Sequence, residues 1–477
     1  MNPGSTLLGD VLLLCIVGTM IAHTLSLISR KRLLLLDPLF AFWAGILVIY
    51  VGQPLSYRQI FVEWHSEELL ETTLGWTLLG LLCVLWGYEW NLGVRLGLKL
   101  PQAPAKLSPV KLSLAGHGFV FLGVIGYLYL FASAGGMNEW LSVGRGGTDY
   151  ENISGYVAQL ADLLPLGIVL LLFQIHFHPA PLPKQIALWI LFALVWWWFL
   201  YLGSRSRLIG FTLMGLSAYY LPKGKSPPMV LAGVVFLALF ILSNFQGAYR
   251  DKFTNLSLNL DQIDLREAQG SVLPSFLGGD LTLQADAVSS GIEFNCVMSV
   301  VELVPDKVPY NYGYGYLELF TRWIPRAIWP DKFYPQMDAV QGVLREAQLS
   351  QANVRDTEIL MGPAFTFVGH WFYVAGPIGL ILGGLLTGVL FRIIRTIYDR
   401  GSRSEGDILI YVSLIGIGFS EAASTPLAWL STLPFVLGPL ALILFLCRAP
   451  SANPKSQKTL APPGMGNRER LLRGQGP

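Results

Sequence analysis

Long apolar stretches alternate with short polar connections along most of this sequence. A helix needs ~20 mostly apolar residues to cross the hydrocarbon core of a bilayer. We therefore predict an all-α polytopic membrane protein with about eleven transmembrane helices, the seventh of which is short. The stretches run over 7–29, 33–54, 72–92, 113–134, 157–177, 185–203, 208–221, 229–246, 372–395, 408–425 and 431–447.

Composition supports the same class. Of the 477 residues, 53% are hydrophobic and 13% are charged, and the mean hydropathy is +0.51. Soluble domains contain about 25% charged residues, so a soluble enzyme, a disordered protein and a nucleic-acid-binding protein are excluded. A net charge of +2 indicates no particular partner. The four cysteines lie far apart, which disfavours a disulfide framework and a zinc site.

The connections alternate in charge. Those that follow odd-numbered stretches are rich in Lys and Arg, whereas loops 55–71 and 135–156 carry more acidic than basic residues. Because cytoplasmic loops carry the excess of Lys and Arg, we predict an outside N-terminus and an inside C-terminus. Arg205 and Arg207 depart from this rule, since the connection 203–207 falls on the outside.

The predicted spans define four regions. Residues 1–246 hold helices 1–8, and 247–371 form a large outer loop with short helices, one of them within 287–304. Helices 9–11 occupy 372–447, and 448–477 form a disordered cytoplasmic tail. Within the outer loop, 247–362 contain nine basic and fifteen acidic residues. Loops of this length are functional or disordered, and its many aromatic residues favour a folded, functional one.

Two clusters on the outer side suggest ligand binding. Guanidinium groups bind phosphate in a bidentate manner, so Arg205 and Arg207 could clamp an anion; the alternative is that they extend to lipid headgroups. The second cluster could bind sugars and phosphates, or could simply anchor a loop at the membrane interface. It comprises Tyr314, Tyr316, Arg322, Trp323, Arg326 and Trp329, and Arg250 is a further candidate for an anion.

His370 precedes the ninth stretch and is the first candidate for proton transfer, because histidine titrates near neutral pH. A structural role is the alternative. Asp286 and Glu293 are the next candidates for a general base. Glu89 and Glu421 lie within spans, where a carboxylate either has a function or pairs with a buried arginine. Two further hypotheses are disfavoured, namely a metal at Asp356 and Glu358 and a nucleophilic thiol at Cys296.

Three motifs together resemble a known family. They are the turn Gly203–Arg205, the segment IPRAIWPDKF with Ile324, Pro325, Trp329 and Pro330, and the glycine-rich VAGPIGLILGGLLTG. This set resembles the Wzy-type oligosaccharide repeat-unit polymerases of bacterial surface polysaccharide synthesis, including the branch that makes enterobacterial common antigen. The similarity covers about 200–395.

The resemblance implies a glycosyltransferase of the inner membrane with a GT-C-like architecture and a periplasmic active site. It implies no cofactor and no metal. Donor and acceptor would be oligosaccharides linked to undecaprenyl diphosphate, and membrane lipids, a chain-length co-polymerase and a flippase would be partners. In that reaction we expect three groups of residues to act: Arg205, Arg207, Arg250, Arg322 and Arg326 on diphosphate, Tyr314, Tyr316, Trp323 and Trp329 on sugar or lipid, and His370, Asp286 or Glu293 as the base.

Three alternatives stay open. A ligase of the O-antigen type would use the same donor with another acceptor. A flippase or transporter for lipid-linked oligosaccharides would carry charges along a central path, whereas here the arginines cluster on one side. A scaffold for polysaccharide export would not depend on Arg205 or His370.

Overall fold

The computed structural model describes most of the apolar part of the chain. The described residues are 7–30, 34–133, 135–137, 157, 159–178, 180–201, 205–228, 230–231, 233–234, 293–321, 324, 328–329, 365–400 and 404–449, without the side chains of Tyr201 and Arg205.

These residues form fifteen α-helices together with short π and 3-10 segments. The N-terminal half contains α1 (Leu7–Ser29), α2 (Pro38–Ile46), α3 (Gln53–Trp64), α4 (Glu67–Glu89), α5 (Asn91–Lys99), α6 (Pro109–Ser133), α7 (Leu163–Phe177), α8 (Leu182–Tyr201) and α9 (Arg205–Tyr220). The C-terminal half contains α10 (Glu293–Leu303), α11 (Glu318–Thr321), α12 (Thr366–Asp399), α13 (Glu405–Leu414), α14 (Ile417–Ala423) and α15 (Pro426–Leu446).

Nine segments among the described residues are long and apolar enough to cross a membrane. Each overlaps a predicted stretch, so a polytopic helical membrane protein is confirmed. The short seventh stretch forms α9 with 16 residues, and the eighth lies mostly outside the described residues, so these two spans stay predictions. The nine segments are Leu7–Ser29, Pro38–Trp64, Glu67–Glu89, Pro109–Ser133, Gln159–Phe177, Leu182–Leu200, Thr366–Asp399, Glu405–Ala423 and Pro426–Leu446.

Helices α4 and α12 make the most extensive contact between described helices. Their seam is lined by glycines, which allow the two backbones to touch. A Cβ on Gly388 would overlap the carbonyl oxygen of Val84, and one on Gly87 would overlap that of Leu385. Since lipid tails are as apolar as side chains, packing at small residues is what holds helices together in a bilayer. We call this contact the glycine seam.

The two ends of the bundle differ in chemistry. We call the end where α4 and α12 begin the upper end, and the end where they stop the lower end. At the lower end, Arg395 Nη1 lies 3.1 Å from Asp37 Oδ2, and Arg400 Nη2 lies 2.7 Å from Asp407 Oδ1. All four residues are buried. Each pair joins the C-terminal end of α12 to another helix, so α12 is fixed at this end by buried ion pairs.

At the upper end, α10 lies against α12 and α4. The His65 ring lies 2.7 Å from two side chains of α10, with Nδ1 facing Glu302 Oε2 and Nε2 facing Asn295 Oδ1. His65 lies in the connection between α3 and α4. The outer-loop helix is therefore tied to the transmembrane helices below it.

We expect Gly388→Ala to destabilise the protein by about 1–3 kcal/mol, because the new methyl group forces α4 and α12 apart. Gly75→Ala is the matched control. Gly75 also lies on α4, but a Cβ there meets nothing within 4 Å, so the change should be neutral or stabilise by up to about 1 kcal/mol. Thermal unfolding in detergent measures both. Equal melting temperatures for the two variants would contradict the glycine seam.

Candidate active site at the break in α12

Helix α12 is broken near its upper end. Ala375 and Gly376 have non-helical dihedral angles, and Pro377 follows them. Pro377 has no N–H to donate to the Tyr373 carbonyl. That carbonyl instead accepts from Asn311 N at 3.0 Å, and the next one, of Val374, accepts from Tyr312 N at 2.8 Å. The outer-loop backbone thus supplies the hydrogen bonds that the helix has lost.

Glycines allow the segment above the break to fold against the helix below it. Gly376 has φ +58°, which favours glycine, and a Cβ there would lie 2.7 Å from the Tyr310 hydroxyl. A Cβ on Gly383 would overlap the Trp371 indole, and one on Gly379 would overlap the Trp371 carbonyl oxygen. The glycine-rich sequence that the resemblance used therefore accommodates the bend.

The bend places His370 against the outer loop. His370 is buried, and its Nε2 lies 2.8 Å from the hydroxyl of Tyr316. Tyr316 belongs to a 3-10 turn, Tyr314–Leu317. That turn is held by Asn311, whose Oδ1 accepts from Gly315 N at 2.9 Å. The same short segment of the loop therefore caps the broken helix and supplies the partner of the histidine.

A small pocket opens beside this pair. It is lined by Asn311, Tyr316, His370 and Tyr373, and by Gly313, Gly315, Phe365 and Val374. About 10 Å³ of it can hold the centre of a water molecule, which is roughly the room for one water or one hydroxyl group. No side chain that lines it carries a formal charge when His370 is neutral. The pocket therefore suits a neutral hydroxyl group better than a phosphate.

The His370–Tyr316 contact can orient a base. Burial, together with the nearby Glu421 carboxylate, raises the pKa of Tyr316 above its usual value, so its hydroxyl stays protonated at neutral pH. When His370 Nε2–H donates to the Tyr316 oxygen, Nδ1 holds the free electron pair. Among the described residues Nδ1 has no hydrogen-bond partner. The arrangement matches a base held by a second group.

Glu421 is the second polar feature of this region. It is 1% exposed and lies on α14. Its Oε1 accepts from Thr387 Oγ1 at 2.8 Å and from Trp371 Nε1 at 3.3 Å, and its Oε2 accepts from Trp429 Nε1. For Glu421, the sequence leaves open a pairing with a buried arginine. Within the described part of the chain, two indoles and a hydroxyl take that place.

Glu293, a candidate base, has a structural partner. Its Oε2 accepts from Gln53 Nε2 at 2.6 Å, and Gln53 Oε1 accepts from Phe294 N at 2.9 Å. This exchange fixes the first turn of α10 to α3. Cys296, on the same helix, is also buried, and burial and the charge of Glu293 raise the pKa of its thiol. A thiol with a raised pKa is a poor nucleophile.

The remaining candidates either have other surroundings or lie outside the described residues. Arg207 Nη2 lies 3.1 Å from Asp162 Oδ1 at the surface, beside the start of α7. Tyr314 and Trp329 are exposed. Arg205 begins α9, but its side chain is not described. The candidates that fall outside the described residues are Arg250, Asp286, Arg322, Trp323, Arg326, Asp356 and Glu358.

The sequence pattern did not reveal the contacts of His370. It singled out His370 and Tyr316 separately, without pairing them. It passed over Asn311, Trp371 and Trp429. The Gly376–Pro377 dipeptide inside an apolar stretch was an available signal, because such a pair marks a turn or a break in a helix.

We expect Gly376→Ala to lower the free energy of unfolding by about 1–3 kcal/mol, since alanine is strained at this positive φ. Adding Tyr310→Phe removes the hydroxyl that the new methyl group meets. The double variant should recover the free energy lost to the clash with the Tyr310 hydroxyl, but not the free energy lost to the strained backbone at residue 376. Thermal unfolding of the two single variants and the double variant separates the parts. A fully additive double variant would contradict the Tyr310 contact.

Comparison of this chain with protein-family models, with curated proteins and with solved structures finds no match.

Proposed function

We propose that this protein is a polysaccharide polymerase that transfers oligosaccharides between undecaprenyl-diphosphate carriers. The observation that carries the proposal is the buried His370 held by Tyr316 at the break in α12. Non-helical backbone at membrane depth is tolerated where it is buried in protein or lines a cavity. Broken helices of this kind are also a common site of ligand binding in membrane proteins. An enzyme that acts on lipid-linked glycans needs its catalytic residues within the membrane-embedded part of the protein, where they can reach a substrate held by its lipid carrier.

The proposed step is a single displacement. A sugar hydroxyl of the acceptor attacks the anomeric carbon of the donor glycan, and His370 Nδ1 takes the hydroxyl proton. The bond between that carbon and the diphosphate oxygen breaks, so undecaprenyl diphosphate leaves with the electron pair. One displacement inverts the anomeric configuration. The neutral lining of the pocket supports its use for the acceptor hydroxyl group.

The diphosphate needs positive charge elsewhere. Arg205 and Arg207 begin α9 at the upper end, and we assign them to the leaving group together with Arg326. Arg250 and Arg322 are lesser candidates. Guanidinium groups that are already in place stabilise developing phosphate charge without reorganisation. Tyr314, Tyr316, Trp323 and Trp329 are assigned to sugar or lipid, because aromatic faces pack well on both.

The chain would lie in the bacterial inner membrane with its N-terminus in the periplasm and its C-terminus in the cytoplasm, so that the upper end faces the periplasm. A chain-length co-polymerase and a flippase would work beside it. A GT-C-like architecture and eleven spans belong to the same proposal. An O-antigen-type ligase is the second candidate, because the same site would serve a different acceptor.

We expect purified wild-type protein in detergent to convert synthetic undecaprenyl-diphosphate repeat units into a ladder of longer products with EDTA present. His370→Ala should lower the rate by about 10²–10⁴-fold, the contribution of a general base. His117→Ala is the matched control, because His117 is an exposed histidine of α6 towards the lower end and should keep the wild-type rate. Gel electrophoresis of the products measures all three proteins.

The assay separates the alternatives. A ladder that is lost with EDTA alone would support the metal hypothesis at Asp356 and Glu358. Product formed only when a different acceptor is added would favour the ligase. No ladder from a folded protein, with several repeat units tried, would favour the flippase. An unchanged rate in His370→Ala would remove His370 from the reaction.

Arg205→Ala should lower the rate by about 10²–10³-fold, as for other groups that stabilise charge in the transition state. Lys111→Ala is the control, since Lys111 lies at the lower end, where its Nζ donates to the Leu446 carbonyl. Initial rates at saturating donor measure the effect. A variant that keeps wild-type rates would show that Arg205 does not contact the leaving group.

A further inference from the structure

Glu421 joins the two parts of the broken helix. Trp371 precedes the break in sequence and Thr387 follows it, and both donate to Glu421 Oε1. Trp429, in the first turns of α15, donates to the other oxygen. A single carboxylate therefore links both segments of α12 to the α14–α15 turn. Its contacts fix the angle at which the upper segment leaves the lower one.

The three donors around Glu421 need an acceptor at both of its side-chain oxygens. An ionised carboxylate accepts at both oxygens, whereas an amide accepts at one and donates from its nitrogen. Glutamine would keep the bonds from Trp371 and Thr387 at its oxygen. Its NH₂ group would then face the indole N–H of Trp429, and in the flipped amide it would face that of Trp371, so that two donors oppose each other in either orientation. A buried donor without an acceptor is costly, which explains a glutamate at this apolar position.

Trp371 passes this constraint to the pocket. Its ring stacks on Tyr316 with centroids 6.3 Å apart, and it meets the His370 ring edge to face at 5.4 Å. Its other side lies on Gly383. Trp371 thus contacts both members of the His370–Tyr316 pair, and its one polar atom is held by Glu421.

We propose that Glu421 is a positioning residue, which through the Trp371 indole sets the place of His370 against Tyr316 in the acceptor pocket. The consequence for catalysis rests on the proposed function, but the positioning itself does not. Glu421 contacts neither the pocket nor a reacting atom. It acts by holding the break in α12 at one angle.

Carbethoxylation of His370 by diethyl pyrocarbonate, followed by peptide mass spectrometry, tests the positioning without substrate. In Glu421→Gln the modification rate of His370 should rise by about threefold to tenfold, the factor that corresponds to one lost hydrogen bond. His117 is the internal reference. Glu89→Gln is the matched control, because this carboxylate lies at the lower end beside His23 and Arg30 and should leave the His370 rate unchanged.

A second substitution gives a sharper test than loss alone. Trp429→Phe, added to Glu421→Gln, removes the donor that opposes the amide and should return the His370 rate to near the wild-type value. Restored reactivity supports positioning by the hydrogen bonds of Glu421. A rate that stays high in the double variant, or that never rises in Glu421→Gln, overturns it. If Glu421→Gln fails to fold, Trp371→Phe breaks the same link and should produce the same rise.

The polymerisation assay then connects positioning to the reaction. Glu421→Gln should lower kcat by a factor similar to its effect on carbethoxylation, leave KM unchanged, and recover with Trp429→Phe. If the wild-type protein forms product but Glu421→Gln leaves the carbethoxylation rate of His370 unchanged, the positioning role is overturned and the proposed reaction is not. The expected carbethoxylation series in a wild-type protein that makes no product supports positioning and removes the proposed reaction.

Discussion

The structure depends on one requirement of the membrane interior, that every backbone polar group must have a partner. The break in α12 at Ala375–Pro377 removes the intrahelical hydrogen bonds to the carbonyls of Tyr373 and Val374, which therefore need other donors. The N–H groups of Asn311 and Tyr312 satisfy them. Because of this exchange, the outer-loop turn and the upper segment of α12 form one unit. The position of Tyr316 on His370 follows from it.

Hydropathy predicts the nine membrane-spanning segments that the described residues form, but not their internal structure. The apolar pattern predicts a ninth span from residue 372, whereas α12 begins at Thr366. A hydropathy average records how apolar a segment is and gives no information about its direction. The six earlier residues are helical and precede the break, and Trp371 among them lies against the glycines that follow it. The contacts of Trp371 with Gly379 and Gly383 reveal this.

The site could be predicted as residues but not as contacts. The chemistry of His370 and Tyr316 marks each as a candidate, but they are 54 residues apart in sequence. Their pairing depends on how the loop caps the helix, which no local pattern records. Glu421 is a similar case. Its burial could be expected from its apolar neighbours, but the choice between an arginine partner and indole donors required the packing of three helices.

The glycine seam has a further consequence for the geometry of the upper end. Gly384 and Gly388 lock the height of α12 against α4, and the break at Gly376 lies eight residues before Gly384. A helix advances about 1.5 Å and turns about 100° with each residue. One residue inserted between the break and the seam would therefore rotate the entire upper segment to another face of the bundle. The spacing between Gly376 and Gly384 therefore fixes both the depth of His370 and the direction in which it faces around the axis of α12.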